Sequence, residues 1–79
     1  MRVIVRFSLN RDKNSNMRAK LKRVLENHGV LWTGARTGTY EGDNLGEDDI
    51  QKAMREFWLK LQTIGMVHLD HFWMYVDKD

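Results

Sequence analysis

Seventy-nine residues make one small domain, since single cores take roughly 50 to 200 residues, and the absence of cysteine rules out disulfide staples and thiolate metal sites. No apolar run approaches the roughly 20 residues needed to cross a bilayer, and the opening Met1-Arg2-Val3-Ile4-Val5-Arg6 is too charged for a secretory leader, so a cytoplasmic protein with no membrane partner is expected. The net charge of +2 conceals an asymmetry: residues 1–40 hold nine Lys/Arg against Asp12 and Glu26, whereas residues 41–79 hold four against nine acids. Either the first half offers a surface to a polyanion, or the halves neutralise each other within or between chains.

Val3, Val5, Phe7 and Leu9 alternate with Arg2, Ile4, Arg6 and Ser8, the period-two pattern of a strand with one face in a core. The polar stretch 10–16 follows, and Asn14, Ser15 and Asn16 are all suited to capping a helix. That helix is expected to bury Met17, Leu21, Val24, Leu25 and His28, to turn Arg18, Lys20, Lys22 and Arg23 to solvent, and to stop at Gly29. Residues 30–33 and 36–40 form two β-prone runs broken by Gly34, which reads as a hairpin, with Gly38 a possible bulge. After the loop 42–46, Glu47, Asp48 and Asp49 sit where a helix N-terminus is electropositive. The second helix, of about 18 residues, buries Ile50, Ala53, Met54, Phe57, Leu61 and Ile64, keeps Trp58 at its edge and stops at Gly65. A last strand lies within 67–76, its alternation slipping across His68-Leu69-Asp70-His71.

The order β-α-β-β-α-β with short connections satisfies the right-handed crossover twice. The expected fold is α+β, a ferredoxin-like split β-α-β domain spanning 1–79, with two helices on one face of a four-stranded antiparallel sheet. The other sheet face would carry Ile4 and Arg6 with either Trp73 and Tyr75 or Phe72 and Met74. A small domain without staples that leaves aromatic side chains on an open face is expected to homodimerise, and Ile4, Arg6, Trp73 and Tyr75 are the interface candidates.

Phe7-Ser8-Leu9 closing the first strand and Gly29-Val30-Leu31-Trp32-Thr33 after the first helix resemble virulence-associated protein D. Arg36-Thr37-Gly38-Thr39-Tyr40-Glu41-Gly42-Asp43 resembles the small integrase-partner subunit of CRISPR spacer acquisition. The resemblance covers most of the chain in element order, through short glycine-anchored motifs. It implies a homodimer pairing sheet against sheet, a bacterial or phage setting, and a nucleic-acid or ribonuclease role. Enzymatic members carry an aspartate at the end of the first strand that is thought to hold a divalent metal, and here that place is Ser8, a poorer hard-cation ligand. The chain also ends at Asp79, soon after the last strand, which leaves little for the extra strand of the CRISPR subunit.

Among chemistry-bearing residues, His68-Leu69-Asp70-His71 reads as polar side chains at the surface of an irregular strand, because His68 and Asp70 would share a face with His71 pointing away, short of a metal's ligand count. His28 sits near a helix C-terminus, where imidazole usually caps a carbonyl. Asp43, Glu47, Asp48 and Asp49 are accounted for mainly by helix capping, and the glycines at 34, 38, 42 and 46 match no phosphate-cradling fingerprint. No catalytic residue, metal or cofactor is assigned. The basic set remains, with Arg11, Lys13, Arg18, Lys22 and Arg23 as candidate phosphate contacts for RNA or DNA. The alternative is a non-enzymatic module that binds another protein, such as a small inhibitor or regulator of a bacterial or phage protein.

Overall fold

A computed structural model describes residues 1–11, 16–34, 38–65 and 68–78. The elements run β1 (Arg2–Leu9), α1 (Asn16–Asn27), β2 (Leu31–Trp32), β3 (Thr39–Gly42), α2 (Glu47–Ile64) and β4 (Leu69–Asp77), and the antiparallel sheet has the order β2-β3-β1-β4. This is the ferredoxin-like α+β arrangement, with β1 at the centre between β3 and β4.

The alternation along β1 sorts its side chains as the period requires: Val3, Val5 and Phe7 are buried, while Ile4 and Ser8 are half-buried and Arg6 is exposed. Onto the inward face pack Leu21, Val24 and Leu25 of α1, Ala53, Phe57 and Leu61 of α2, and Val30 and Tyr40. Aromatic rings hold the centre: Phe7 stacks on Tyr40 at 5.2 Å and meets Phe57 edge-on at 5.3 Å, while Trp58 and Phe72 are 4.9 Å apart at the rim. Trp58 is half-buried, as its place on the helix edge suggests.

Helix ends follow the glycines. At the end of α1, Gly29 has φ +81°, its N–H donates to Glu26 O and the Val30 N–H donates to Leu25 O, with Val30 and Leu25 both buried. These paired bonds satisfy orphan carbonyls and fix the chain's turn into β2. At the start of α2, the Gly46 N–H donates to Asp49 Oδ2 at 3.0 Å, and at its end the Gly65 N–H donates to Leu61 O. The caps expected at Asn14 and Ser15 lie outside the described residues, as do Arg36 and Val67.

One detail differs from the sequence reading, and one agrees with it. The second and third strands are shorter and shifted, Leu31–Trp32 and Thr39–Gly42, because β3 takes its register from β1, pairing Arg6 with Thr39 and Val3 with Gly42. The irregularity of the sheet lies in β4 against β1: His71 opposes Ser8 and Leu69 opposes Leu9, so Asp70 is the extra residue of a bulge.

Candidate nucleic-acid interface

Helix α1 carries Arg18, Lys20, Lys22 and Arg23 against the single acid Glu26, and no acid occupies its first turn. A helix N-terminus carries a partial positive charge from its unpaired N–H groups, so Asp or Glu is the favoured neighbour there. Helix α2 follows that rule with Glu47, Asp48 and Asp49. Helix α1 inverts it, adding Arg18 to an end that is already positive, and Arg11, exposed at φ +57°, lies just beyond β1 on the way to that end. Lys13 lies outside the described residues.

The cations of α1 do not all turn to solvent as expected. Arg23 and Lys20 are exposed, whereas Arg18 and Lys22, one turn apart, are half-buried. The Arg18 guanidinium lies 6.0 Å from the Phe7 ring centre and the Lys22 ammonium 5.0 Å from that of Trp32. Long cationic stems lie along apolar surface while their heads stay near water, and an aromatic face attracts the charge. Four of the five candidate phosphate contacts are thus placed: Arg11 near the end of β1, and Arg18, Lys22 and Arg23 on α1. Burial pushes the Tyr40 phenol above its usual pKa, with the positive charge of Arg18 opposing that rise and Glu26 adding to it.

The register places Ile4, Arg6, Trp73 and Tyr75 together on the face away from the helices. Leu31, Glu41, Ile4 and Tyr75 form one row across all four strands, and Thr39, Arg6 and Trp73 form the next. Leu31, Trp73 and Tyr75 are each exposed, the Trp73 and Tyr75 rings lie nearly parallel 6.1 Å apart, and the Arg6 guanidinium stands 5.7 Å from the Trp73 ring centre. Phe72 and Met74, the other pair considered, belong to the helix side, opposite Phe7 and Val5. Charges here are matched across strands: Arg2 Nε donates to Glu41 Oε1 at 2.6 Å, which raises the Arg2 pKa further, and Asp77 stands opposite Arg2.

The histidines have other partners than the sequence suggested. His28 pairs its Nε2 with Glu56, joining the end of α1 to the middle of α2. At the β4 bulge, the Ser8 hydroxyl donates to Asp70 Oδ2 at 3.3 Å and His71 opposes the same Ser8, because the extra residue cancels the alternation that would have set Asp70 and His71 on opposite faces. Sequence reasoning left both the Ser8–Asp70 contact and the pairing of Lys22 with Trp32 unassigned. The slip at 68–71 was the signal for the first, and the shared parity of Val30 and Trp32 for the second. Among the described residues no three His, Asp or Glu side chains are grouped so as to hold a metal ion, and no helix is long and apolar enough to cross a membrane. Comparison with protein-family models, curated proteins and solved structures returned no match.

Proposed function

We propose that the protein is a small homodimeric nucleic-acid-binding protein that contacts phosphates along α1 and pairs with its second copy through the outer sheet face. The observation that carries this reading is the charge on α1: four cations against one acid, on a helix whose N-terminal turn lacks the carboxylate that α2 has threefold. Such an end is electrostatically unfavourable alone and is relieved by an anion with closely spaced charges. The outer face supports pairing of two copies because its apolar groups are flanked by both charge signs, Arg2 and Arg6 with Glu41 and Asp77, which suits a two-fold partner better than a polyanion.

The resemblance to virulence-associated protein D supports the same class, and Ser8 in the metal-holding place argues for binding over divalent-metal-dependent cleavage. The test is fluorescence anisotropy of labelled RNA and DNA across a salt series, with the parent and R11Q/K22Q/R23Q. The parent should bind at low salt and weaken steeply as salt rises. Losing three contacts should lower affinity and flatten the log–log slope by roughly 2, at about 0.7 per phosphate on a single strand. No binding at low salt would overturn the reading. Recovery of one stoichiometric protein partner instead would favour the alternative, a regulator of another protein acting through the outer face.

A further inference from the structure

We propose that the free edge of β4 pairs with β4 of a second copy, antiparallel and centred on Met74, so that two sheets join into one of eight strands, four from each copy. This contact goes beyond the pairing through the outer face and uses a different surface.

Strand β4 runs from Leu69 to Asp77 at the end of the sheet order, with β1 on one side and, among the described residues, no strand on the other. Every second residue of such a strand turns its N–H and C=O away from the sheet, which makes a template for another strand, and edges are usually blunted by lysine, proline or a bulge. Here the bulge at Asp70 and the cation of Lys78 lie at the two ends, and neither lysine nor proline interrupts the stretch between them. The side chains along that stretch are open on both faces of the sheet. Trp73 and Tyr75, on the outer face, are 43% and 46% exposed, and Met74, on the helix side, is 39% exposed although Val5, opposite it on β1, is fully buried. Phe57 and Trp58 of α2 cover Phe72 at ring distances of 5.4 and 4.9 Å, but beyond Met74 the half-buried Val76 borders an open cavity of about 530 Å³ together with Met1, Ile50 and Lys78. Outer-face pairing covers Trp73 and Tyr75 and leaves Met74, on the opposite side of the sheet, open. A strand laid along the edge covers all three.

The occupant is a second copy because the strand is complementary to itself in this register. Met74 meets its own counterpart, Trp73 of each copy meets Tyr75 of the other, Phe72 meets Val76, and Asp70 and His71 come alongside Lys78 and Asp77. Ring meets ring, an aromatic meets a β-branched group, and each end joins carboxylates to basic groups. The Asp70 carboxylate accepts from Ser8 through Oδ2 and has further acceptor capacity for Lys78. Moving the register by two residues sets Asp77 opposite Trp73 in one direction and opposite Leu69 in the other, and moving it by one sets the outer face of one copy beside the helix side of the next. The two-fold axis of this contact stands perpendicular to the sheet and that of face-to-face pairing lies parallel to it, so the two contacts are compatible in a closed tetramer. An edge contact buries less than a whole face and should form at the higher concentration.

The chain has no cysteine, so a single introduced thiol reports on the register. Directly opposite residues hold their Cβ atoms about 4.5–5.5 Å apart, close to disulfide reach. With diamide as oxidant, M74C should cross-link into a species of twice the chain mass at protein concentrations where L59C, equally exposed to solvent on α2, stays mostly single. Sedimentation of the parent from micromolar towards millimolar concentration should pass from dimer to tetramer, and M74K, checked for folding by thermal melting, should stop at the dimer. M74C that cross-links no faster than L59C, or a parent that remains a dimer throughout and whose dimer M74K leaves intact, would overturn the proposal and leave outer-face pairing standing. A parent that stops at a dimer which M74K splits would establish the β4 edge as the pairing surface and overturn the outer-face reading instead. A parent that stays monomeric throughout overturns both.

Discussion

Of the glycines, Gly42 of β3 meets neighbouring backbone most closely, at the turn that ends α1. A Cβ added at Gly42 would lie 2.6 Å from Gly29 O and 2.8 Å from Leu45 Cδ1. Leu45 has a flexible end, but the carbonyl is backbone and would have to retreat by about 0.8 Å to reach an ordinary 3.4 Å contact. Gly29 is not free to make that move: its φ of +81° and the bonds from Gly29 and Val30 back to α1 define the turn, and Val30 is in the core. Overpacking of this kind costs about 1–3 kcal/mol. A chain of this length has roughly 4–12 kcal/mol in total, and each kcal/mol moves the midpoint by about 4–8 °C. G42A should therefore lower Tm by roughly 4–24 °C in calorimetry, and lower the urea midpoint with an unchanged slope. G46A is the control, since its Cβ would meet only the Asp49 carboxylate at 3.4 Å; it should lose no more than about 1 kcal/mol, as expected at an N-cap. A G42A protein as stable as the parent would refute the claim that this glycine is required by close approach.

Light scattering at micromolar concentration should give a homodimer, and W73E, which sets a carboxylate among the apolar groups of the outer face, should give a folded monomer; a monomeric parent would refute the pairing. Tyr40 makes stability pH-dependent at the alkaline end: its folded pKa is raised above the unfolded value of about 10, so the unfolded chain loses the proton first and stability, full below about pH 10, falls as pH rises through the folded value. Y40F should flatten that decline in urea melts taken across the range, and an identical decline would show that other groups cause it. Purified protein should give no robust cleavage of RNA with Mg²⁺ or Mn²⁺, because Ser8 stands where the resembled enzymes have a carboxylate; metal-dependent cleavage would place the holder elsewhere, with Asp70, bonded to Ser8, the first residue to substitute.

The parts of the fold that were legible in the sequence are those set by local periodicity. Strand β1, the stripe of α2 and the glycine stops at Gly29 and Gly65 each follow from spacing within one element. The hairpin was less legible because β2 and β3 are too short for a pattern, and β3 is positioned by its pairing with β1 rather than by its own residues. The bulge at Asp70 was signalled by broken alternation, but its result, a carboxylate beside Ser8, needed the partner strand. The basic candidates were legible as a count, not as an arrangement. Nothing in 16–27 alone says that Arg18 and Lys22 would lie against Phe7 and Trp32, since those rings come from strands on either side of the helix in sequence.

Topology also decides where the charge asymmetry is felt. Strand β1 belongs to the basic half, but both of its neighbours draw on the acidic half, and Arg2 accordingly meets Glu41 on one side and Asp77 on the other. Helix α2 carries its own balance, with Lys52, Arg55 and Lys60 following its N-terminal acids. Helix α1 receives an acid from the second half at its far end, where Glu56 meets His28. Among the described residues, the ion pairs between the two halves thus act on the sheet and on the C-terminal end of α1. Exposed charges more than about 8–10 Å apart are screened from one another at ordinary salt. The small net charge of +2 therefore does not by itself describe the field at any one face of the protein.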